Sequence, residues 1–227
     1  MNSATSKSKS SVVAFAIWLA AVTLVFGSLG VYGSKQGPES LPPSQWPANS
    51  SLERSVDSPT LLVFVHPGCP CSRATLDNLE TIASDPSLSI HLVCIGDEET
   101  SSANTNDFGS CRQRLNDWQM RNNVSLFHDT DSQETHRFQA MTSGHCLLFD
   151  ANGALQFSGG VTSSRGHQGA SAGLASLQAA LNGQQTNDTY PVFGCPLFLE
   201  SPEPSEDDRN EVNKPLLPPC CKGRCRA

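Results

Sequence analysis

The sequence of 227 residues has little charge and no excess of the positive kind. Charged residues make up 16%, and 15 Lys+Arg stand against 22 Asp+Glu, a net charge of −7. That balance argues against a nucleic-acid binder, which needs a basic field. A mean hydropathy of −0.29 excludes a multi-span membrane protein. No G-x-x-x-x-G-K, H-E-x-x-H or G-x-S-x-G occurs, so phosphate-loop, zincin and hydrolase-elbow chemistry have no support. There are no internal repeats. Cysteine, by contrast, is plentiful at nine residues. That density is below a disulfide-stapled toxin fold, and the odd count leaves at least one thiol unpaired in a monomer.

A 25-residue uncharged stretch lies between Lys9 and Lys35, with an apolar heart from Val12 to Val31. At about 1.5 Å rise per residue it can cross a hydrocarbon core of about 30 Å. The leader, residues 1–10, carries Lys7 and Lys9 and no acid, which keeps it cytoplasmic by the positive-inside rule. Residues 11–33 are thus expected to anchor the chain in the membrane, with the remainder facing the periplasm or cell exterior. A cleaved signal peptide is the other reading, but the run is long for one and no A-x-A site follows. Both deliver the domain to an oxidising compartment.

Residues 34–58 are rich in Ser, Pro and Gly and are expected to form an extended linker. Regular patterning fills residues 59–182. Thr60–Val65 and Leu88–Ile95 have the continuous apolar character of buried strands. Ser72–Ser84 has helical spacing, and Phe108, Cys111, Leu115 and Trp118 make one helical stripe over Phe108–Met120. Val124–His128 is a third candidate strand. Ser132–Ala140 is a short helix, expected to be capped by Asp131. Cys146–Phe149 and Leu155–Ser158 flank Asn152-Gly153, a hairpin signal, and Gly169–Leu181 closes the domain as a helix. The order β-α-β-α-β-α-β-β-α predicts an α/β fold with a parallel start and an antiparallel finish. Residues 183–227 form a Pro- and Cys-containing tail.

The stretch Leu61–Arg73, LLVFVHPGCPCSR, runs a buried strand through a Pro/Gly turn into two cysteines and a helix. A helix N-terminus favours an anion, which pushes a cysteine there toward the thiolate. Cys69 is the candidate nucleophile, and Cys71 is the nearest resolving thiol. Arg73 adds positive charge, and His66 is a candidate proton acceptor.

This arrangement resembles the thioredoxin-like superfamily over roughly residues 58–182. On HPGCPCSRATL (66–76), TSGHCLLFDANG (142–153) and SGGVTSSRGHQG (158–169) the chain is most similar to RedB-type membrane-anchored thioredoxin-like bacterial proteins. The resemblance implies a central mixed sheet flanked by helices, and a thiol–disulfide oxidoreductase acting on protein thiols and disulfides without a required cofactor. Two departures stand out. The family's C-x-x-C is here Cys69-Pro70-Cys71, with Ser72 where the second thiol would fall. Gly144, in Ser143-Gly144-His145, stands nearest the family's cis-proline. A tight C-x-C ring suggests an oxidising potential.

Copper gives the alternative reading. Cys69, Cys71 and His145 are a ligand set suited to Cu(I) or zinc. Sco-type copper-delivery proteins place two cysteines and a later histidine on this architecture, although with C-x-x-x-C. A redox-inactive tethered binding module is the third possibility. His167 and Arg165 are further candidates in the loop after the hairpin. Cys94 and Cys111 are expected in the core, and Cys146 beside the core or the site. Cys195 is expected either to pack on the domain or to approach Cys69 as a distant resolving thiol. Cys220, Cys221 and Cys225 form a basic C-C-x-x-x-C end, suited to metal binding or thiol exchange, or else an unstructured terminus.

Overall fold

The computed structural model describes residues 3–95, 111–184 and 189–198. By its contacts the chain divides after Leu197, and the unit described below is residues 1–197. Helix α1 (Ser3–Gly33) contains a segment, Ser11–Gly33, with mean hydropathy 2.4 and no buried part, long and apolar enough to cross a membrane. Because the helix is apolar all round, no single face is set aside for a protein core.

Ten further elements follow: β1 (Thr60–Val65), α2 (Pro70–Asn78), α3 (Glu80–Ala83), β2 (Ser89–Ile95), α4 (Cys111–Gln119), β3 (Val124–Asp129), α5 (Gln133–Arg137), β4 (His145–Phe149), β5 (Leu155–Gly160) and α6 (Ala172–Leu181). The strands form one sheet in the order β3-β2-β1-β4-β5. β1 pairs parallel with β2, and β2 parallel with β3, whereas β4 runs antiparallel to both β1 and β5. All six residues of β1 are buried, as its central place requires.

Strand alternation splits the core into two faces. Leu61, Val63 and Val65 of β1 pack with Leu76 and Leu79 of the α2–α3 region, Leu115 and Trp118 of α4, and Leu177 of α6. Leu62 and Phe64 face the other way, with Leu52, Phe138, Ala140, Leu147 and Phe149. The expected stripe on α4 is therefore present at Cys111, Leu115 and Trp118, while Phe108 lies outside the described residues.

Three expectations change. The Ser72–Ser84 helix starts earlier, at Pro70, and breaks at Leu79 into α2 and α3. The N-cap position of α5 is Ser132, and the side chain that satisfies its first N–H groups is Asp129, not Asp131. The Asp129 carboxylate accepts hydrogen bonds from Glu134 N (3.1 Å), Thr135 N (2.7 Å) and Thr135 Oγ1 (2.6 Å) from its buried place at the end of β3. The linker is not a free tether. Trp46 N donates to Gly153 O (2.8 Å), and Leu155 N to Ser44 O (2.9 Å). The Trp46 ring stands edge-on to Phe138 and Phe149 at 5.1 and 5.2 Å. These are non-local aromatic contacts, which no local periodicity announces.

Candidate functional site

The Cys-Pro-Cys stretch lies where β1 leaves the sheet. His66-Pro67-Gly68-Cys69 forms a turn closed by Cys69 N donating to His66 O (3.0 Å). Cys69 is the N-cap of α2 in extended conformation, and Pro70 takes the first helical position, where its missing N–H costs nothing. Ser72 is fully buried, and its Oγ accepts from His66 N (3.0 Å), tying the helix start to the end of β1. The residue at the second-thiol position of C-x-x-C is thus used for support.

Cys69 is 2% exposed. Ser143 Oγ donates to it at 3.2 Å, and Cys195 Sγ lies 3.1 Å away. The Cys71 thiol, as hydrogen-bond donor, is the largest influence on its acidity. Against the opposing effect of burial, Cys71, Ser143, Cys195 and the Ser72 N–H together hold the Cys69 pKa far below the thiol range, at about 3. The proton stays with the neighbours. Cys71 is pushed strongly up, first by its bond to Cys69, then by burial and by the Cys69 charge. Burial and Cys69 push Cys195 up to about 11, with Arg165 pulling the other way. The site is therefore one thiolate ringed by donors, the form in which sulfur is a nucleophile.

Ser143 couples the parts. Its Oγ accepts from Cys195 N (2.9 Å) while donating to Cys69, and its own N–H donates to Cys195 O (2.9 Å). The next residue, Gly144, has φ +87°, and its N–H donates to Phe64 O at 2.7 Å. A proline could supply neither that φ nor that donor. The absence of proline here is thus built into the backbone.

Cys71 acts directly on Cys69, and Arg165 on Cys195, whereas the hydrogen bonds and ion pairs of the other expected site residues go elsewhere. The His66 ring is exposed, and its Nδ1 accepts from Gly68 N (3.3 Å). Arg73 pairs with Asp77 one turn along α2, at 3.7 Å. His167 Nδ1 sits 3.0 Å from Ser163 Oγ in an exposed loop. His145 is placed by strand alternation. It pairs with Phe64 and so shares the face of Leu62 and Leu147, opposite to the face that receives α2. Its Nε2 is 2.9 Å from Ser158 Oγ, its Nδ1 has no partner, and burial lowers its pKa to about 4. Among the described residues no three His, Cys, Asp or Glu side chains gather as a metal cluster, and His145 lies on the opposite sheet face from the one that receives α2, so the three-ligand set Cys69, Cys71 and His145 is not assembled. Local sequence reading leaves out Ser143; of the two placements expected for Cys195, the structure has the one close to Cys69. Ser143 and Cys195 each lie far along the chain from Cys69.

The other described cysteines, Cys94, Cys111 and Cys146, are buried in the core. Burial pushes Cys111 up to about 12 and Cys146 further. Cys220, Cys221 and Cys225 lie outside the described residues. A cleft of about 810 Å³ opens at the other end of the sheet, between residues such as His91, Arg121 and Ser125, and has no thiol in its lining.

Three parallel strands, a closing antiparallel pair and a cysteine at the N-cap after the central strand make this a thioredoxin-like fold: a mixed five-stranded sheet flanked by helices. Among solved structures, the chain is similar to a hypothetical protein from Sinorhizobium meliloti 1021 at 15% identity and TM-score 0.51, over 72% of this chain and 97% of that one. It also matches an uncharacterised conserved protein from Geobacillus kaustophilus (15% identity, TM-score 0.49, 75% and 95% covered). A third match is a secreted Mycobacterium tuberculosis disulfide oxidoreductase homologous to E. coli DsbE (12%, TM-score 0.37, 56% and 82% covered). No protein-family model matches the sequence, and no curated protein matches it. At these identities the likeness bears on the fold alone.

Proposed function

We propose that the chain is a membrane-anchored, extracytoplasmic thiol–disulfide oxidoreductase, nearest in kind to RedB-type proteins, with Cys69 as its nucleophile. The observation that carries this reading is the Cys69 sulfur at the N-cap of α2, with donors on several sides and its pKa lowered to about 3. Core cysteines of the same chain are shifted the opposite way. Helix α1 supplies the anchor, and its lysine-bearing leader the orientation.

In the reaction, the Cys69 thiolate attacks one sulfur of a substrate disulfide. The Cys69–substrate bond forms, the substrate S–S bond breaks, and the second substrate sulfur leaves as thiolate. A second enzyme thiol then attacks the Cys69 sulfur and expels the first substrate sulfur. The substrate gains two electrons, and the enzyme cysteines become a disulfide. Tuning of Cys69 falls to Cys71, Ser143 and Cys195, not to His66 and Arg73. The full chain in detergent should reduce a protein disulfide when supplied with a dithiol reductant, and Cys69→Ser should abolish this. Turnover unaffected by Cys69→Ser would refute the mechanism.

A further inference from the structure

The segment Tyr190–Leu197 runs past the Cys69 sulfur, held to the domain by isolated bridges at Tyr190 and Pro196. Gly37 N donates to Val192 O (2.9 Å), Ser143 N to Cys195 O (2.9 Å) and Leu197 N to Met141 O (3.0 Å), and Thr142 and Pro196 form an antiparallel bridge. Phe193 and Leu197, two residues either side of Cys195, are each 9% exposed, and Pro196 between them faces solvent. Phe193 and Leu197 are thus buried on either side of a half-buried Cys195, whose sulfur lies against Cys69. Position 194 admits only glycine, since a Cβ there would come within 1.9 Å of Ser143 O. Backbone pairing along a free edge, with alternate side chains in pockets, is how proteins capture extended peptides. Here the captured segment belongs to the chain itself and delivers a thiol 3.1 Å from Cys69.

We propose that Phe193–Leu197 is an internal occupant of the substrate groove. On this view the enzyme acts on cysteines borne on extended strands with apolar residues two before and two after, and Cys195 is the thiol that resolves Cys69. This rests on the thiol chemistry proposed above. When a substrate strand displaces the segment, Cys69 forms its mixed disulfide. The returning Cys195 thiolate attacks Cys69 and expels the substrate thiolate, and the proton it gave up ends on a substrate sulfur. The product is a Cys69–Cys195 disulfide with the segment locked down. Cys71 keeps its proton throughout and serves as a donor to Cys69. Arg165 favours the Cys195 thiolate, pulling its pKa down against burial and Cys69.

The test uses the full chain in detergent. After oxidation with glutathione disulfide, acid quench, alkylation and digestion, mass mapping should find Cys69 joined to Cys195. A Cys69–Cys71 bond in its place would overturn the assignment of Cys195. In reduced protein, Gly194→Val should lift the segment and speed alkylation of Cys69 by iodoacetamide about tenfold or more, which is about 1.4 kcal/mol of docking. The paired change Phe193→Ala with Leu197→Ala should do the same by emptying the two pockets. Unchanged rates in both would overturn occupancy of the groove. If disulfide turnover still needs Cys69 while these results fail, the inference falls and the proposed function stands. If turnover ignores Cys69→Ser, the function itself falls.

Discussion

Replacing Ser143 by alanine removes the hydroxyl that donates to the Cys69 sulfur at 3.2 Å and is itself fully buried. Water cannot take its place without entering the site. A hydrogen bond to a charged group contributes about 1.5–3 kcal/mol. At about 1.4 kcal/mol per pH unit, the Cys69 midpoint should rise by about one to two pH units. Because Cys71 acts more strongly than Ser143, the variant stays a thiolate at neutral pH, now with its midpoint near 4–5 in place of about 3. The assay is the alkylation rate of Cys69, followed by mass spectrometry between pH 4 and 9. The wild-type rate should be almost flat, and the Ser143→Ala rate should fall at the acid end. The variant also loses the acceptor for Cys195 N, and any displacement of the Cys195 thiol adds to the rise. A midpoint that stays put or moves down would refute the hydrogen-bonded account of Cys69.

Further outcomes follow from the same geometry. Cys71→Ala should raise the Cys69 midpoint more than Ser143→Ala does, and Cys71→Ser, which keeps a donor, should raise it less; the same alkylation profile checks both. His145 is buried with its pKa lowered to about 4, so between that value and its ordinary 6.5 the unfolded chain binds more protons and stability rises with pH. Urea unfolding should therefore show wild type losing about 2–3 kcal/mol more than His145→Gln between pH 7 and 4.5. Cys69 acts in the same direction but is common to both proteins and cancels in the difference. Asp129→Ala should cost about 1–2 kcal/mol by leaving two backbone donors of α5 uncapped, read as a lower urea midpoint with unchanged slope.

Local features were legible in the sequence. TLLVFV is the central strand because an uninterrupted apolar run suits burial on both faces. Asn152-Gly153 marks the β4–β5 hairpin, and Gly153 does take positive φ, at +84°. The strand, turn and helix around Cys69 are legible too, and they place Cys69 at the N-cap of α2. What stayed hidden is non-local or a matter of aim. The hydroxyl that donates to Cys69 comes from Ser143, 74 residues away, which no local pattern announces; Cys195, 126 residues away, is offered by the sequence in two placements, and only the folded chain selects the one 3.1 Å from Cys69. Asp129 and Asp131 are equal candidates as caps by composition, and only Asp129 is aimed at the α5 N-terminus. His145 and Cys146 are neighbours that alternation sends to opposite faces, so His145 leaves the thiols although the sequence sets it near them.

Trapping tests the central claim most directly. A full-length chain with Cys71→Ser and Cys195→Ser retains Cys69 but has neither nearby thiol to release a bound substrate. Incubated briefly with a peptide disulfide, it should gain one peptide, mapped by digestion and mass spectrometry to Cys69. No adduct, or an adduct shared evenly with Cys94, Cys111 and Cys146, would contradict the assignment of Cys69 as the reactive thiolate.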